Sequence, residues 1–439
     1  MTKDKLTFDD IVNLLKDRGQ VFLTGAGGVG KTYSAKKIIQ KFNNTLKLAT
    51  TQIAAQNLNG ETLHRVFKLG LSKDAQDLEA FDRKGIAHLL KKGISYEQAL
   101  SIRLSSLKKI LKNTDLIIID EISMLSAQLL DLIYLRFSQV GIIKPILFIG
   151  DLFQLPPVSR PGDRVGANYI FHSPNWHPVI IELTQIQRTE DKQFAFYQQQ
   201  IRQGIYTQDT HNFLNNLVAN TPENYAEWKP TIICATNAQV DSINNNELTK
   251  IDSKLYTLEG KYTNHTSFPD NKDFPTDVIL HVKVGCRVIF CKNNILQGYY
   301  NGLQGVLKSV DKDSLSIETY DGKVINVYKE IFTRYHSEMN GDVATHSIDH
   351  ELEQFPIRLA YAITIHKSQG MTIEHLHIKF DRIFEVGQAY VAISRASNTK
   401  YLKLEGLQPS HFNVKNGEVI NYLNSQDVIF VERIESNPS

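Results

Sequence analysis

Short apolar runs that end in glycine or a polar residue recur along this chain. Residues 21–24 lead into Gly25, and 47–50, 116–120 and 146–150 repeat the form, with helical spacing between them that starts at 31–42. Such runs are the fully buried strands of a parallel sheet covered by helices on both faces. The pattern returns at 231–235, 359–364, 377–380 and 401–404, which predicts a second α/β unit whose strands lie far apart in sequence. Between 246 and 355 the texture changes. A polar, Pro-containing stretch at 256–276 precedes alternating strands at 287–290, 305–310, 314–320 and 323–328, the last two joined by an Asp321-Gly322 turn. This predicts a small antiparallel β insertion inside the second unit. A second departure falls at 83–112, where Leu100, Leu104, Leu107 and Leu111 recur at helical spacing among eight Lys and Arg residues and one acid, Glu97. One or two amphipathic basic helices are expected there, either as a solvated face or as a functional element.

A length of 439 residues suits about three domains. The formal charge of +2 neither indicates nor excludes a nucleic-acid partner, because a near-zero sum can hide opposite local runs. Three cysteines, Cys234, Cys286 and Cys291, are too few for a disulfide framework or a four-ligand zinc site, so an intracellular setting is expected, with core packing for the last two. No apolar run approaches the roughly 18 residues of a membrane span. Residues 1–10 mix acids and bases, so no secretory signal is expected.

The candidate chemistry is that of phosphates. Gly25-Ala26-Gly27-Gly28-Val29-Gly30-Lys31-Thr32 fits GxxxxGK[ST] between a strand and a helix. Glycines let the backbone wrap a phosphate with its N–H groups at a helix N-terminus, Lys31 reaches the β- and γ-phosphates, and the Thr32 hydroxyl takes one Mg²⁺ position. Asp120-Glu121 follows an apolar strand, where ligands of open α/β sheets bind. Asp120 is the expected Mg²⁺ carboxylate, and Glu121 the general base on water. Gln154, in Gly150-Asp151-Leu152-Phe153-Gln154-Leu155-Pro156-Pro157, is either a γ-phosphate sensor or a turn cap. Arg188 and Arg395 are either arginine fingers or surface ion pairs. Phe67, His64 and His366 are either contacts for nucleic acid or core.

Taken in order, Gly25 to Thr32, Asp120-Glu121-Ile122-Ser123-Met124, Gly150-Asp151 to Val158, Tyr361-Ala362-Ile363-Thr364-Ile365-His366-Lys367-Ser368-Gln369-Gly370-Met371-Thr372 and Gly387-Gln388-Ala389-Tyr390-Val391-Ala392-Ile393-Ser394-Arg395-Ala396 resemble superfamily 1 DNA helicases, and among them the petite-integration-frequency (Pif) family. The stretch 171–204, with Trp176, Gln187-Arg188 and Ile201-Arg202-Gln203-Gly204, is similar too, and the likeness runs from about residue 20 to 424.

The resemblance implies an α/β fold of two RecA-like P-loop NTPase domains with parallel sheets. The first would span 1–66 and 113–183, with a basic wedge insertion at 67–112. The second would span 184–255 and 352–439, with a Src-homology-three-like β-barrel insertion at 256–351. It implies an ATP-dependent helicase moving 5′ to 3′ on single-stranded DNA. Lys31, Asp120, Glu121, Gln154, Arg188 and Arg395 would be catalytic. Gly25, Ala26, Gly27, Gly28, Val29, Gly30, Lys31, Thr32, Gln154, Arg188, Gly370 and Arg395 would hold ATP, and Thr32 and Asp120 would hold Mg²⁺. Strand contacts would fall on Thr51, Thr62, His64, Thr236, Asn237, Asn301, Thr364, His366, Lys367, Ser368 and Gln369. Expected partners are single-stranded and 5′-tailed duplex DNA, with guanine quadruplexes and RNA–DNA hybrids as further candidates, for a monomeric chain without a membrane partner, in the cytoplasm or on a bacterial nucleoid. A DNA-stimulated translocase that remodels protein–DNA complexes and a nucleotide-dependent protein switch are the competing readings. Two departures stand out. Residues 1–19 hold none of the adenine-reading glutamine usual upstream of the P-loop, Gln20 being too close to the strand, and the basic stretch is longer than the usual wedge.

Overall fold

The computed structural model describes residues 6–435 apart from 52–53, 56–57, 59, 71, 158–168, 221–228, 266–273, 295, 341–342, 381–386 and 412–416, with backbone alone at 263–265, 334–340 and 343–350. Two parallel sheets dominate. The first has seven strands in the order Val428–Val431, Val179–Leu183, Gln20–Gly25, Ile146–Ile149, Leu116–Asp120, Thr45–Ala49 and Glu61–Thr62. Its central strands are apolar on both faces. Leu116, Ile117, Ile118 and Ile119 are all without solvent contact, because helices cover each side. One of these helices, Phe8–Arg18, lies in a stretch for which no element was expected. Thr7 and Asp10 form a capping box at its start, Gly19 in the left-handed conformation ends it, and Phe8, Ile11 and Leu15 face the sheet core.

The edge strand Val428–Val431 corrects the expected domain boundary. Residues 352–439 do not all belong to the second unit, since this strand pairs in parallel with Val179–Leu183, and Ile434–Glu435 pairs with Leu6–Thr7. A four-residue apolar strand carries no sign of which sheet it will complete.

The second sheet orders Ala362–Thr364, Thr231–Cys234, Leu376–Lys379 and Leu402–Glu405, all parallel. The single run expected at 359–364 is divided. Ile357–Leu359 pairs antiparallel with Arg287–Phe290 in the β insertion, while Ala362–Thr364 enters the parallel sheet. The insertion therefore extends past 351 to 359. Its main sheet is antiparallel, in the order Val324–Tyr328, Ser314–Thr319, Gln304–Val310, Arg287–Phe290 and Ile357–Leu359. Among the described residues no pairing joins its two outer strands into a closed barrel. A long hairpin, Glu330–Asn340 and Val343–Gln354, stands beside it.

The basic insertion holds three helices, Ala75–Leu90, Tyr96–Arg103 and Ser105–Lys112, where one or two were expected. Gly93, with φ near 80°, and the Ser95 side chain, which accepts from Gln98 N–H, divide the first from the second. Leu100, Leu104, Leu107 and Leu111 are buried as the spacing predicts, and Lys84, Lys91, Lys92, Lys108, Lys109 and Lys112 are exposed. Ser105–Lys112 lies against the long hairpin, so the two insertions meet. Among the described residues no helix is long and apolar enough to cross a membrane.

Candidate functional site

The P-loop strand Gln20–Gly25 and the acidic strand Leu116–Asp120 are not neighbours; Ile146–Ile149 lies between them. All three end at one edge of the sheet, which brings their following residues together. They form a cleft of about 470 Å³ lined by Gly27, Gly28, Gly30, Lys31, Thr32, Asp120, Glu121, Gln154, Arg188, Gly370 and Arg395, among others. Three further P-loop residues stand behind this lining. Ala26 and Val29 are buried in the core, and a Cβ on Gly25 would lie 2.4 Å from Leu183 O.

Lys31 Nζ donates to the carbonyls of Gly25 and Ala26 at 2.7 and 2.9 Å, and burial lowers its pKa. Glu121 sits at φ 53°, a conformation uncommon for any residue with a side chain, in the turn that follows the strand. Its N–H donates to Asp120 Oδ1 at 2.8 Å. Burial, then the neighbouring Glu121 carboxylate, pushes Asp120 up to about 7. Glu121 is raised as well, chiefly by burial.

Arg395 is buried and Arg188 partly buried, and neither is a surface ion pair. Arg395 donates from Nε to Val391 O at 2.9 Å and from Nη2 to Ser394 Oγ at 2.7 Å. Arg188 donates from Nη1 to Ser394 O at 2.5 Å. Burial and the neighbouring Arg395 push Arg188 down to about 9. Arg188 arrives from the segment after Val179–Leu183 rather than from a strand of the second sheet. Gln187 N–H donates to Gly28 O at 2.8 Å, and a Cβ on Gly28 would lie 2.5 Å from Arg188 Cβ, so this segment rests on the P-loop itself.

The candidate strand contacts follow the carboxyl ends of parallel strands. Thr51 lies beyond Thr45–Ala49, Thr62 and His64 at and just after Glu61–Thr62, Thr236 and Asn237 beyond Thr231–Cys234, and Thr364 with the turn 365–369 beyond Ala362–Thr364. Asn237 and His366 are exposed. Thr364 and Ser368 are buried, their hydroxyls engaged by Lys367 N–H and Ile365 O. The Ser368 carbonyl instead accepts from Arg395 Nη1 at 3.5 Å, which ties this turn to the arginine. Thr50 Oγ1 donates to Glu121 O at 3.3 Å, a comparable tie in the first domain. The Asn301 carbonyl accepts from the N–H of Thr372, a residue that lines the cleft. A Cβ on Gly302 would lie 2.3 Å from Thr372 O, so only glycine permits this approach. Phe67 is core, edge-to-face with Phe137.

Gln20, the glutamine that precedes the P-loop in sequence, is turned away from the cleft. Its amide donates to Asn175 O at 2.8 Å and to the Tyr134 hydroxyl, and it accepts from His177 N–H. Two aromatic residues that the motifs did not single out, Tyr33 and Tyr300, line the cleft instead. Tyr33 directly follows Thr32 and could have been found from that position. Tyr300 comes from the β insertion, directly before Asn301.

Residues 2–209 match the PIF1-like helicase family. The ATP-dependent DNA helicase Pif1 of Campylobacter jejuni is 34% identical over 427 residues, which cover 92% of each chain. That of Bdellovibrio bacteriovorus is 29% identical, over 91% of this chain and 87% of its own. A Bacteroides Pif1 in complex with ADP-AlF4 matches 95% of this chain and 96% of its own at 28% identity, with a TM-score of 0.79. Bacteroides Pif1 bound to ssDNA matches the same shares at 28% identity with a TM-score of 0.61.

Proposed function

This chain belongs to the PIF1-like helicase family, and we propose that it is an ATP-dependent DNA helicase that moves 5′ to 3′ along single-stranded DNA and separates the duplex ahead of it. One observation carries the reading. The P-loop and the acid pair of the first sheet face two arginines across one cleft, a partly buried Arg188 and a buried Arg395 carried by the second domain.

The cleft fits its ligands chemically. Two guanidiniums side by side in a cleft call for an anion, and the lowered pKa of Arg188 beside Arg395 expresses that demand. A carboxyl whose pKa is raised beside a second one calls for a cation. Thr32 and Asp120 would hold Mg²⁺, which when bound supplies charge neutralisation across the phosphate oxygens. Gly28, Gly30 and Lys31 grip the polyphosphate. Glu121 takes a proton from the attacking water, and Arg188 and Arg395 offset the charge that grows on the γ-phosphoryl group, a contribution of roughly 10³ to 10⁵ in rate for such fingers.

Coupling to DNA runs through the two ties described above, Thr50 to Glu121 and Ser368 to Arg395. Each joins a turn beside the candidate strand contacts to a catalytic residue, one at the Glu121 backbone carbonyl and the other at the Arg395 guanidinium. Closure of the cleft on ATP then shifts both turns together, and alternate grip by the two domains moves the chain along the strand. The lower likeness to the ssDNA-bound Bacteroides structure, 0.61 against 0.78 for the unliganded one, supports a rearrangement when the strand is held. The exposed lysines of the basic insertion would receive the displaced strand at the fork. Guanine quadruplexes and RNA–DNA hybrids are further candidate substrates, and one chain suffices for the cycle.

Duplexes with a single 5′ or a single 3′ tail test the proposal. Unwinding from the 5′ tail with ATP and Mg²⁺ is expected; unwinding from the 3′ tail alone, or none from either, would refute it.

A further inference from the structure

Tyr390 belongs to the short helix Gln388–Ile393 of the second domain, yet its hydroxyl is bonded within the first. It accepts from Gly27 N–H at 2.9 Å and donates to Asp151 Oδ2 at 2.8 Å. Asp151 is wholly buried. Its other oxygen, Oδ1, accepts from Arg202 Nε at 3.0 Å and from Phe153 N–H at 3.2 Å. Arg202 Nη1 in turn donates to Glu182 Oε1 at 2.6 Å, and its guanidinium lies 4.6 Å from the Phe153 ring centroid. The carboxylate that receives the tyrosine proton is therefore fixed on every side. With the proton directed at Asp151, the lone pairs of the hydroxyl are directed at Gly27. Burial and Asp151 raise the pKa of Tyr390, so this orientation persists across the working pH range.

Gly27 is the P-loop glycine that approaches both fingers at once. A Cβ there would lie 3.4 Å from Arg188 Nη1, from Arg395 Nη2 and from Ser394 Cβ. Tyr390 and Arg395 also share a support, because Arg395 Nε donates to the carbonyl of Val391, the residue after Tyr390. A shift of the tyrosine hydroxyl relative to Gly27 thus moves Arg395 relative to the P-loop.

We propose that Tyr390 is an interdomain positioning residue that locks the Gly27 amide and the Arg395 guanidinium into one register, so that the γ-phosphate of a nucleoside triphosphate is recognised by both domains at once. The inference rests on the ATPase reading above. It assigns to Asp151, with Arg202 and Glu182 behind it, the role of anchor for that lock. ADP, which lacks the γ-phosphate, binds without needing it.

Tyr390→Phe tests this, since it keeps the ring and removes both hydrogen bonds. The measurements are equilibrium affinities for ADP and for a non-hydrolysable triphosphate analogue, with kcat and KM for ATP in saturating single-stranded DNA. ADP affinity is expected to stay within about twofold of wild type, while the analogue binds roughly 10-fold more weakly and kcat falls by a similar factor, the scale of one hydrogen bond to a charged group. Retained ADP binding also shows that the variant is folded. Asp151→Asn, which keeps a weaker acceptor for the hydroxyl, is expected to change the same ratio by a smaller factor. Equal weakening of ADP and analogue, or no change in either, would overturn the assignment. If wild type hydrolyses ATP normally and the Tyr390→Phe ratio is unchanged, only this inference fails; an inactive wild type overturns the ATPase reading and the inference together.

Discussion

Asp82 is the group from which the basic insertion hangs, and its removal has a calculable cost. Its buried carboxylate accepts from Arg136 Nη1 at 2.7 Å, from Arg136 Nη2 at 2.9 Å and from Arg103 Nε at 2.9 Å. Arg136, on the helix Ala127–Val140 of the first domain, has no solvent contact and also donates to Phe67 O and Lys68 O at 3.0 and 2.8 Å. Asp82→Ala leaves that guanidinium buried without its counter-charge. Breaking a buried pair from one side costs about 3 to 5 kcal/mol. The lower end applies here, because the two carbonyls and Gln139 Oε1 still satisfy part of the guanidinium. For a unit of about 200 residues each kcal/mol lowers the midpoint by roughly 2 to 4 °C, so a fall of about 6 to 12 °C is expected in a thermal melt. Asp82→Leu combined with Arg136→Met should recover most of it, since an apolar pair in place of a buried ion pair is about neutral. Arg103, which is partly exposed, can turn to water. In the single variant, duplex unwinding should fall more than single-stranded-DNA-stimulated ATPase, because the insertion loses its anchor while the cleft is untouched. A midpoint shift below 2 °C, or a double variant no better than the single, would refute the reasoning.

Other outcomes follow from the same geometry. Glu121→Gln should keep nucleotide and DNA binding and lower ATP turnover by about 10² to 10⁴, the range for a general base, in a steady-state assay; retained turnover would remove Glu121 from that role. Asp120 should make Mg²⁺ use pH-dependent. Its folded pKa of about 7 lies above the ordinary 3.8, so without metal its contribution to stability is fully present below 3.8 and is lost as pH rises through about 7. The ionised form that would take Mg²⁺ is lost in the opposite direction, so the Mg²⁺ needed for half-maximal turnover should rise as pH falls below 7, and a flat titration from pH 6 to 8 would count against it. Phe67→Ala should cost about 3 to 5 kcal/mol in denaturant unfolding and leave single-stranded-DNA affinity unchanged, as expected of a core ring.

Where chemistry and periodicity coincide, the chain was legible. The runs at 116–120 and 146–150 are buried strands because nothing polar interrupts them, and their polar ends lie at the cleft because parallel strands share an edge. The P-loop could be read from spacing because phosphate binding demands both the glycines and the lysine. Pairing partners could not be read. Val428–Val431 has the composition of any short buried strand, and only the unfilled edge beside Val179–Leu183 decides where it goes. Asp82 looks like one more solvated acid in a charged helix, and its burial follows from an arginine 54 residues away. The link from Tyr390 to Gly27 spans 363 residues between two recognised motifs, and neither motif alone implies it.

The return of Val428–Val431 to the first sheet has a consequence for synthesis. Val179–Leu183 is made early and gains its outer neighbour only after about 250 further residues have been translated, roughly 12 to 50 s at ordinary elongation rates. Throughout that interval the nascent P-loop sheet carries an unpaired apolar edge, the kind of template that recruits foreign strands. A ribosome-bound chaperone that shields this edge until residue 431 emerges should therefore raise the yield of active protein more than one acting after release.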